Sequence, residues 1–388
     1  MHDDLPPSPA LLPAGLRDVL PPDAETEAAA VEALMAVFAS HGFQWVKPPL
    51  LEFEDSLLAG AGAATAEQTF RLMDPDTQRM MGLRADITPQ IARIAATRLA
   101  GAARPLRLSY AGQCLRVRGS QLAPDRQIAQ AGIELIGHDS PAADAEMVLV
   151  GAEALARVGL NRPSFDLTLP PLVPTLLAEA GVPAPERGPL ARALDRKDAA
   201  AVGRLGGGLA ATLTELLLSA GPADRALAAL ASVRLPPGAA ALADRLAATV
   251  AAIRARAPAL KLTVDPIEFR GFRYHTGVSL TVFAPGRHEE LGRGGRYLGG
   301  DGEPATGLTL YPDAILRAAP PRVARPRAYL PAGLDGSAAR AQGFATIAGL
   351  APVADAAGEA RRLRCTHVLT PGGMVALGQE EAGWPTSP

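Results

Sequence analysis

The chain has 388 residues, and its 40 acidic and 38 basic side chains leave a net charge of only −2. That length permits two or three domains and a large core, and the charge balance excludes a globally basic nucleic-acid binder, although a local patch can hide within it. Two cysteines, Cys114 and Cys365, are too few and too far apart for a disulfide framework or a metal site, and they suit a reducing cytosol.

Asp3, Asp4 and several prolines stand where a secretory signal would have a basic segment and an apolar core, and no uninterrupted apolar run is long enough to span a bilayer. A cytoplasmic protein without a membrane partner is expected. Residues 12–24 form a proline-punctuated loop ahead of an amphipathic helix expected over about residues 24–41, with Val31, Leu34, Met35 and Phe38 on one face and Gly42 as its stop. FQWVKPPLLEFEDSLL then reads as an extended run interrupted by Pro48 and Pro49. A Gly/Ala loop at residues 60–64 leads to a hairpin over residues 70–83 turning at Asp74-Pro75-Asp76, and Pro89 starts a helix to about Leu99. Just ahead of it, Asp86 and Thr88 admit two readings: polar groups of a site, or N-terminal caps of the helix.

Residues 106–137 read as two strands joined by a polar turn containing Gly119, Ser120, Pro124 and Asp125. In the first, Leu106, Leu108 and Tyr110 alternate with polar neighbours, and Leu115 and Val117 interleave with Arg116 and Arg118. In the second, Ala129, Ala131, Ile133 and Leu135 share one face, while the other carries Gln130, Gly132 and Glu134 with Ile128 and Ile136. An amide, a gap and a carboxylate in one row could hold a small polar molecule bearing a cation or several N–H donors. The alternative is a one-sided sheet with Gln130 and Glu134 facing water. A helix with these two at i and i+4 is disfavoured by Gly132 and the β-branched residues.

From about residue 170 to 258, Leu/Ala-rich windows broken by PAPERG, GGG and PPG predict a small all-helical insertion without a chemical motif, with Asp195, Arg196 and Lys197 as a solvated face. FRGFRYHTGVSLTVF returns to strand: Val278, Leu280 and Val282 alternate with Ser279 and Thr281, preceded by Arg270, Tyr274 and His275. LGRGGRY, residues 291–297, lacks the Lys-Ser/Thr ending and the strand-to-helix context of a phosphate-binding loop and is read as a tight turn between sheet strands. Beyond a proline-rich linker at 320–326, a strand at 328–331, a helix near Ser337, a helix over 354–363 and a strand at 366–369 are expected, with Arg361, Arg362 and Arg364 a solvated helix end. The expected division is a domain over residues 1–320, including the insertion at about 170–260, and a small C-terminal α/β domain over 327–388.

In this context residues 106–137 resemble motif 2 of the class II aminoacyl-tRNA synthetases, most closely that of the histidyl-tRNA synthetases. LRADITPQIAR at 83–93, FRGFRYHTG at 269–277 and LGRGGRY at 291–297 agree in the same order, and FQWVKPPLLEFEDSLL resembles motif 1, the dimer contact in that family, an ordinary edge strand being the competing reading. The resemblance covers roughly the first 320 residues and implies an α+β fold: a class II synthetase-like antiparallel sheet flanked by helices. In the resembling enzymes the positions of Asp86 and Thr88 hold the α-amino group of histidine, that of Arg270 pairs with its carboxylate, and those of Tyr274 and His275 wall the imidazole. Arg116, Gln130 and Glu134 are also retained. Asp86 replaces the usual Glu, His275 a Tyr, and Arg273 stands where an acid is common; for His275 a structural role competes with a ligand contact.

The nucleotide half departs from the pattern. Phe-Arg-x-Glu of motif 2 is Leu115-Arg116-Val117-Arg118, the loop arginine is Pro124, the adenine-stacking aromatic is Ile128, and the phosphate-clamping arginine of motif 3 is Ala314. Charge-assisted contacts are worth about 1.5–3 kcal/mol each, so losing two arginines and the acid weakens ATP binding by on the order of a thousandfold. The C-terminal part is shorter than an anticodon-binding domain and offers no basic surface for RNA. A synthetase-like fold with an amino-acid pocket but no ATP or tRNA site resembles the regulatory subunits of ATP phosphoribosyltransferase, which act with a short catalytic subunit in the first step of histidine biosynthesis. That resemblance implies a chain with no catalytic residue, cofactor or metal. It further implies self-association as a dimer inside a hetero-octamer with the short-form catalytic subunit, L-histidine as feedback ligand, and no tRNA. The competing expectations are an active histidyl-tRNA synthetase and a stand-alone synthetase-like histidine-binding module.

Overall fold

Residues 12–119, 124–268, 274–300, 302–321 and 325–378 are described by a computed structural model. Helix α1 (Asp23–Ser40) buries Leu34, Met35 and Phe38 and ends at Gly42, whose φ of +81° favours a residue without a side chain. It is followed by β1 (Gln44–Trp45), β2 (Leu51–Phe53) and a single turn of helix, α2 (Glu54–Leu57). The run from 43 to 58 is therefore two short strands and a helical turn rather than one extended segment. Residues 60–64, expected as a loop, belong to a 3-10 segment, Gly60–Gln68, where small Ala and Gly side chains tolerate the eclipsed i,i+3 geometry. The hairpin β3 (Arg71–Met73) and β4 (Met80–Leu83) turns where expected, with Asp74 accepting from the Thr77 hydroxyl at 2.6 Å.

Helix α3 (Thr88–Ala96) precedes the long antiparallel pair β5 (Leu106–Leu115) and β6 (Gln127–Ile136), paired from Leu106 opposite Ile136 to Leu115 opposite Gln127. Then come α4 (Pro141–Arg157), β7 (Ser164–Thr168) and the helical insertion: α5 (Leu172–Glu179), α6 (Ala184–Asp195), α7 (Ala199–Leu205), α8 (Ala210–Leu218), α9 (Ala223–Ser232) and α10 (Pro237–Arg256). A two-residue strand, β8 (Gly221–Pro222), interrupts the helices and pairs with β9 (Lys261–Asp265). Lys197 is not merely solvated, because its ammonium reaches Asp265 at 2.5 Å. The sheet closes with β10 (His275–Phe283), β11 (Glu290–Leu298) and β12 (Pro304–Leu310), followed by α11 (Pro312–Ala318).

Among the described residues nine strands form the main sheet, in the order β1-β5-β6-β12-β11-β10-β7-β9-β8. The pairs β1–β5 and β7–β9 are parallel and the others antiparallel, giving the α+β class II synthetase-like architecture. LGRGGRY is not a turn: it lies inside β11. Its glycines serve close strand approach, since a Cβ on Gly294 would collide with the Gly307 carbonyl and one on Gly292 with that of Thr309. Alternation along β6 sends Ala131, Ile133 and Leu135 into the main core with α1, α4 and the insertion helices. On the other face Ile136 joins Ile87, Ile91, Leu108 and Tyr110 beneath α3. The rest of that face is open.

The chain divides into two compact units, one within Met1–Asp18 and Thr26–Pro320 and one within Val19–Glu25 and Pro321–Pro388. The second holds β13 (Arg327–Leu330), α12 (Ser337–Ala341), β14 (Ala345–Ala348), α13 (Ala356–Arg362), β15 (His367–Thr370) and β16 (Gly373–Ala376), with strand order β14-β13-β15-β16 around Tyr329, Ala360 and Val368. Strands β14 and β16 escape the sequence reading because they are bounded by alanine or glycine and have no fully buried residue, unlike the equally short β13 and β15. No helix among the described residues is long and apolar enough to cross a membrane.

Candidate ligand site

The open face of the main sheet forms a cleft of about 560 Å3, counting its mouth. Gln130 and Glu134 lie on its floor, 2% and 1% exposed, which overturns the reading of a water-facing row. Gly132 between them leaves room for the Tyr110 ring from β5. A Cβ on Gly307, opposite Glu134 on β12, would collide with the Glu134 carboxylate. The strands thus meet closely around a buried acid.

Hydroxyl groups from three elements converge on that acid. Thr88 Oγ1 donates to Glu134 Oε1 at 2.8 Å, Tyr297 OH donates to Oε2 at 2.9 Å, and Tyr110 OH lies 3.4 Å from Oε1. Tyr110 OH is also 2.7 Å from Thr309 Oγ1 and 3.1 Å from Thr88 Oγ1. Burial pushes the Glu134 carboxyl up to about 8; the Thr88 and Tyr297 hydroxyls pull against this, and neighbouring Asp86 adds to it. Burial likewise holds Tyr110, Tyr274 and Tyr297 well above the usual phenol range, so they remain donors.

Thr88 is the first residue of α3 and turns its hydroxyl to Glu134, while Asp86 combines both readings, lining the cleft and taking the backbone N–H groups at the start of the helix. The cap position itself is Ile87, whose side chain makes no capping hydrogen bond. Burial raises the Asp86 carboxyl, and the Arg116 guanidinium is the largest influence in the opposite direction, followed by a hydrogen bond to Gln130 and backbone N–H groups of Ile87 and Thr88. The Gln130 carbonyl oxygen accepts from Ile87 N at 3.1 Å and from Cys114 Sγ at 3.3 Å. Two buried carboxylates, one guanidinium and an oriented amide therefore share one space. Such a floor suits a ligand that brings cationic or N–H donor groups.

Of the residues expected from the sequence, Asp86, Thr88, Arg116, Gln130, Glu134, Tyr274 and His275 all line the cleft. Tyr274 stacks at a tilt on His275, with centroids 4.7 Å apart, and meets Tyr297 edge-on at 5.9 Å. Arg270 lies outside the described residues. Sequence reasoning missed Tyr110, Tyr297, Thr309, Arg293 and Tyr311, which also bound the cleft or its floor. Tyr110 was legible only as an apolar strand position, and the others depend on β11 and β12 pairing beside β6. On the opposite face of β11, Arg296 anchors the strand to α4: it pairs with Asp144 at 2.7 Å, the side chains being 4% and 3% exposed.

The nucleotide-contact positions have other uses. Ala314 is buried in the main core and Ile128 packs beside the cluster under α3, while Asp313, next to Ala314 in the chain, accepts the Ala129 N–H at 3.0 Å through Oδ2.

A family model described as Histidyl-tRNA synthetase matches residues 15–315. A Paramagnetospirillum magneticum protein named ATP phosphoribosyltransferase regulatory subunit is 57% identical over 371 residues, covering 95% of this chain and 98% of its own length. A Gluconobacter oxydans protein of the same name is 56% identical over 374 residues, covering 96% and 98%. Among solved structures, an ATP phosphoribosyltransferase regulatory subunit/histidyl-tRNA synthetase from Bacillus halodurans superposes with a TM-score of 0.77 at 22% identity, over 90% of this chain and 96% of that one, a likeness of fold.

Proposed function

Since this chain belongs to the histidyl-tRNA synthetase-like family and, within it, to the ATP phosphoribosyltransferase regulatory subunits, we propose that it binds L-histidine in the cleft around Glu134 and passes that signal to a short-form catalytic subunit without catalysing a reaction itself. The role is regulatory and lies in histidine biosynthesis. The observation that carries the ligand assignment is the pair of buried acids, Asp86 and Glu134, held by Arg116, Gln130 and a ring of hydroxyls. Histidine supplies an ammonium and imidazole N–H groups to such a floor. Tyr274 and His275 would flank the ring, and Arg270 is assigned to the carboxylate by the family resemblance alone.

The reading without catalysis is supported by the changed nucleotide positions, since Ala314, buried in the core, offers no charge to clamp a phosphate. The chain works in the cytosol as a dimer within a hetero-octamer, takes no tRNA, and needs a histidine preference for one state of the assembly worth about 1–3 kcal/mol. The test is phosphoribosyl-ATP formation by the short catalytic subunit from the same source, with and without this chain, titrating L-histidine. Activation reversed by histidine is expected. No activation, or histidine-dependent exchange of pyrophosphate into ATP by this chain alone, would overturn the proposal.

A further inference from the structure

On β11, Arg293, Gly295 and Tyr297 line the cleft, so a guanidinium, a gap and a phenol mirror the amide, gap and carboxylate of β6. The gap is tight, since a Cβ on Gly295 would crowd the His275 ring and Ser279. Arg293 stands across from Thr309 of β12 and Thr281 of β10, one residue pair along from the row that holds Glu134, Gly307 and Gly295. Two strand spacings and one pair repeat put its Cα about 12 Å from that of Glu134. Both side chains project from the same face, from opposite sides of the space a ligand would fill.

Arg293 is also held in a defined orientation. Its Nη2 donates to Glu290 Oε1 at 2.7 Å, and its Nε donates to Glu290 Oε2. That fork occupies one edge of the guanidinium, and among the described residues no hydrogen bond engages Nη1. Arg116 faces Asp86 at the acidic end, whereas Arg293 stands beside Tyr274 and Tyr311. Each arginine of the cleft thus stands beside an acid, Asp86 for Arg116 and Glu290 for Arg293, and the Glu290 fork fixes the plane of the Arg293 guanidinium.

The geometry points to Arg293 as a further carboxylate anchor for a zwitterionic amino acid, in addition to the Arg270 that the family resemblance assigns, with Glu290 fixing the guanidinium so that its remaining edge meets the ligand. A planar fork suits a carboxylate in a way a point charge does not. The inference rests on the reading of the cleft as an amino-acid site and adds to it the group that distinguishes an amino acid from its decarboxylated or reduced relatives.

The test is calorimetric binding of L-histidine and of L-histidinol, which keeps the ammonium and imidazole but lacks the carboxylate, to the full chain and to Arg293→Ala and Arg293→Lys. Arg293→Ala is expected to weaken L-histidine by about 10- to 100-fold, toward the affinity for L-histidinol, without weakening L-histidinol. Arg293→Lys, which keeps the charge but not the fork, is expected to fall between and provides the reading if the alanine variant does not fold. Unchanged histidine affinity in the variants, or an equal loss for both ligands, overturns the anchor while leaving the pocket assignment intact. A wild-type chain that binds neither ligand overturns the pocket assignment and the anchor together.

Discussion

Replacing Glu134 by glutamine tests the buried acid directly. In the folded chain this carboxyl titrates at about 8 against an ordinary 4.5, because burial outweighs the hydroxyls that donate to it. Between those values the native state binds a proton that the unfolded chain has lost, so stability is complete below about 4.5 and declines as pH rises to about 8. At about 1.4 kcal/mol per tenfold, that interval corresponds to about 5 kcal/mol, of which about 4 kcal/mol falls between pH 5 and pH 8.5. The side-chain amide of the Glu134→Gln variant would keep an oxygen for the Thr88 hydroxyl and carry no charge. Urea unfolding of the wild type and Glu134→Gln, followed by far-UV circular dichroism from pH 5 to 8.5, should therefore show near-equal stability in acid and a gap that widens in favour of the variant by about 4 kcal/mol. L-histidine should restore part of the wild-type stability at pH 8.5 and much less of the variant's, since a cationic or N–H ligand compensates the carboxylate. A gap that stays constant across this range would refute the reasoning, because Glu134 would then titrate alike in both states.

Gly307→Ala places a methyl group against the Glu134 carboxylate and should lower histidine affinity more than tenfold with a stability loss of about 1–3 kcal/mol, read by calorimetry and thermal unfolding. Thr88→Val removes the 2.8 Å donor to Glu134 and should move the pH midpoint of histidine binding upward, because the ionised carboxylate loses a partner. Asp144→Asn removes the buried partner of the Arg296 guanidinium and leaves it only the half-exposed Asp139, 3.0 Å away, and should cost about 1–3 kcal/mol in chemical denaturation.

What could be read in the sequence was whatever depends on local period. The alternation of β6 already separates Ala131, Ile133 and Leu135 from Gln130 and Glu134, and the two faces are those seen. Local period could not decide whether the polar row meets water or a cleft, because that depends on β12 arriving beside β6 with Gly307 opposite Glu134. The same limit hid Tyr110 and Tyr297, whose hydroxyls matter only once distant strands pair. Glycine was the misleading residue in LGRGGRY: its usual meaning is a turn, whereas here it permits backbones to approach. In the smaller unit, β14 and β16 bury no side chain fully, so they lack the core-facing apolar residues that mark the equally short β13 and β15.

The bond between Tyr110 and Thr309 joins residues 199 positions apart, and this has a consequence for how the chain is made. The β5–β6 hairpin can form as soon as its own residues leave the ribosome, but the strands that cover Glu134 follow only after the helical insertion. At about 5–20 residues per second, the hairpin waits about 10–40 s with its polar row exposed. Ligand recognition is thus a late property of the nascent chain: ribosome-arrested chains should retain L-histidine only once residues 290–310 have emerged.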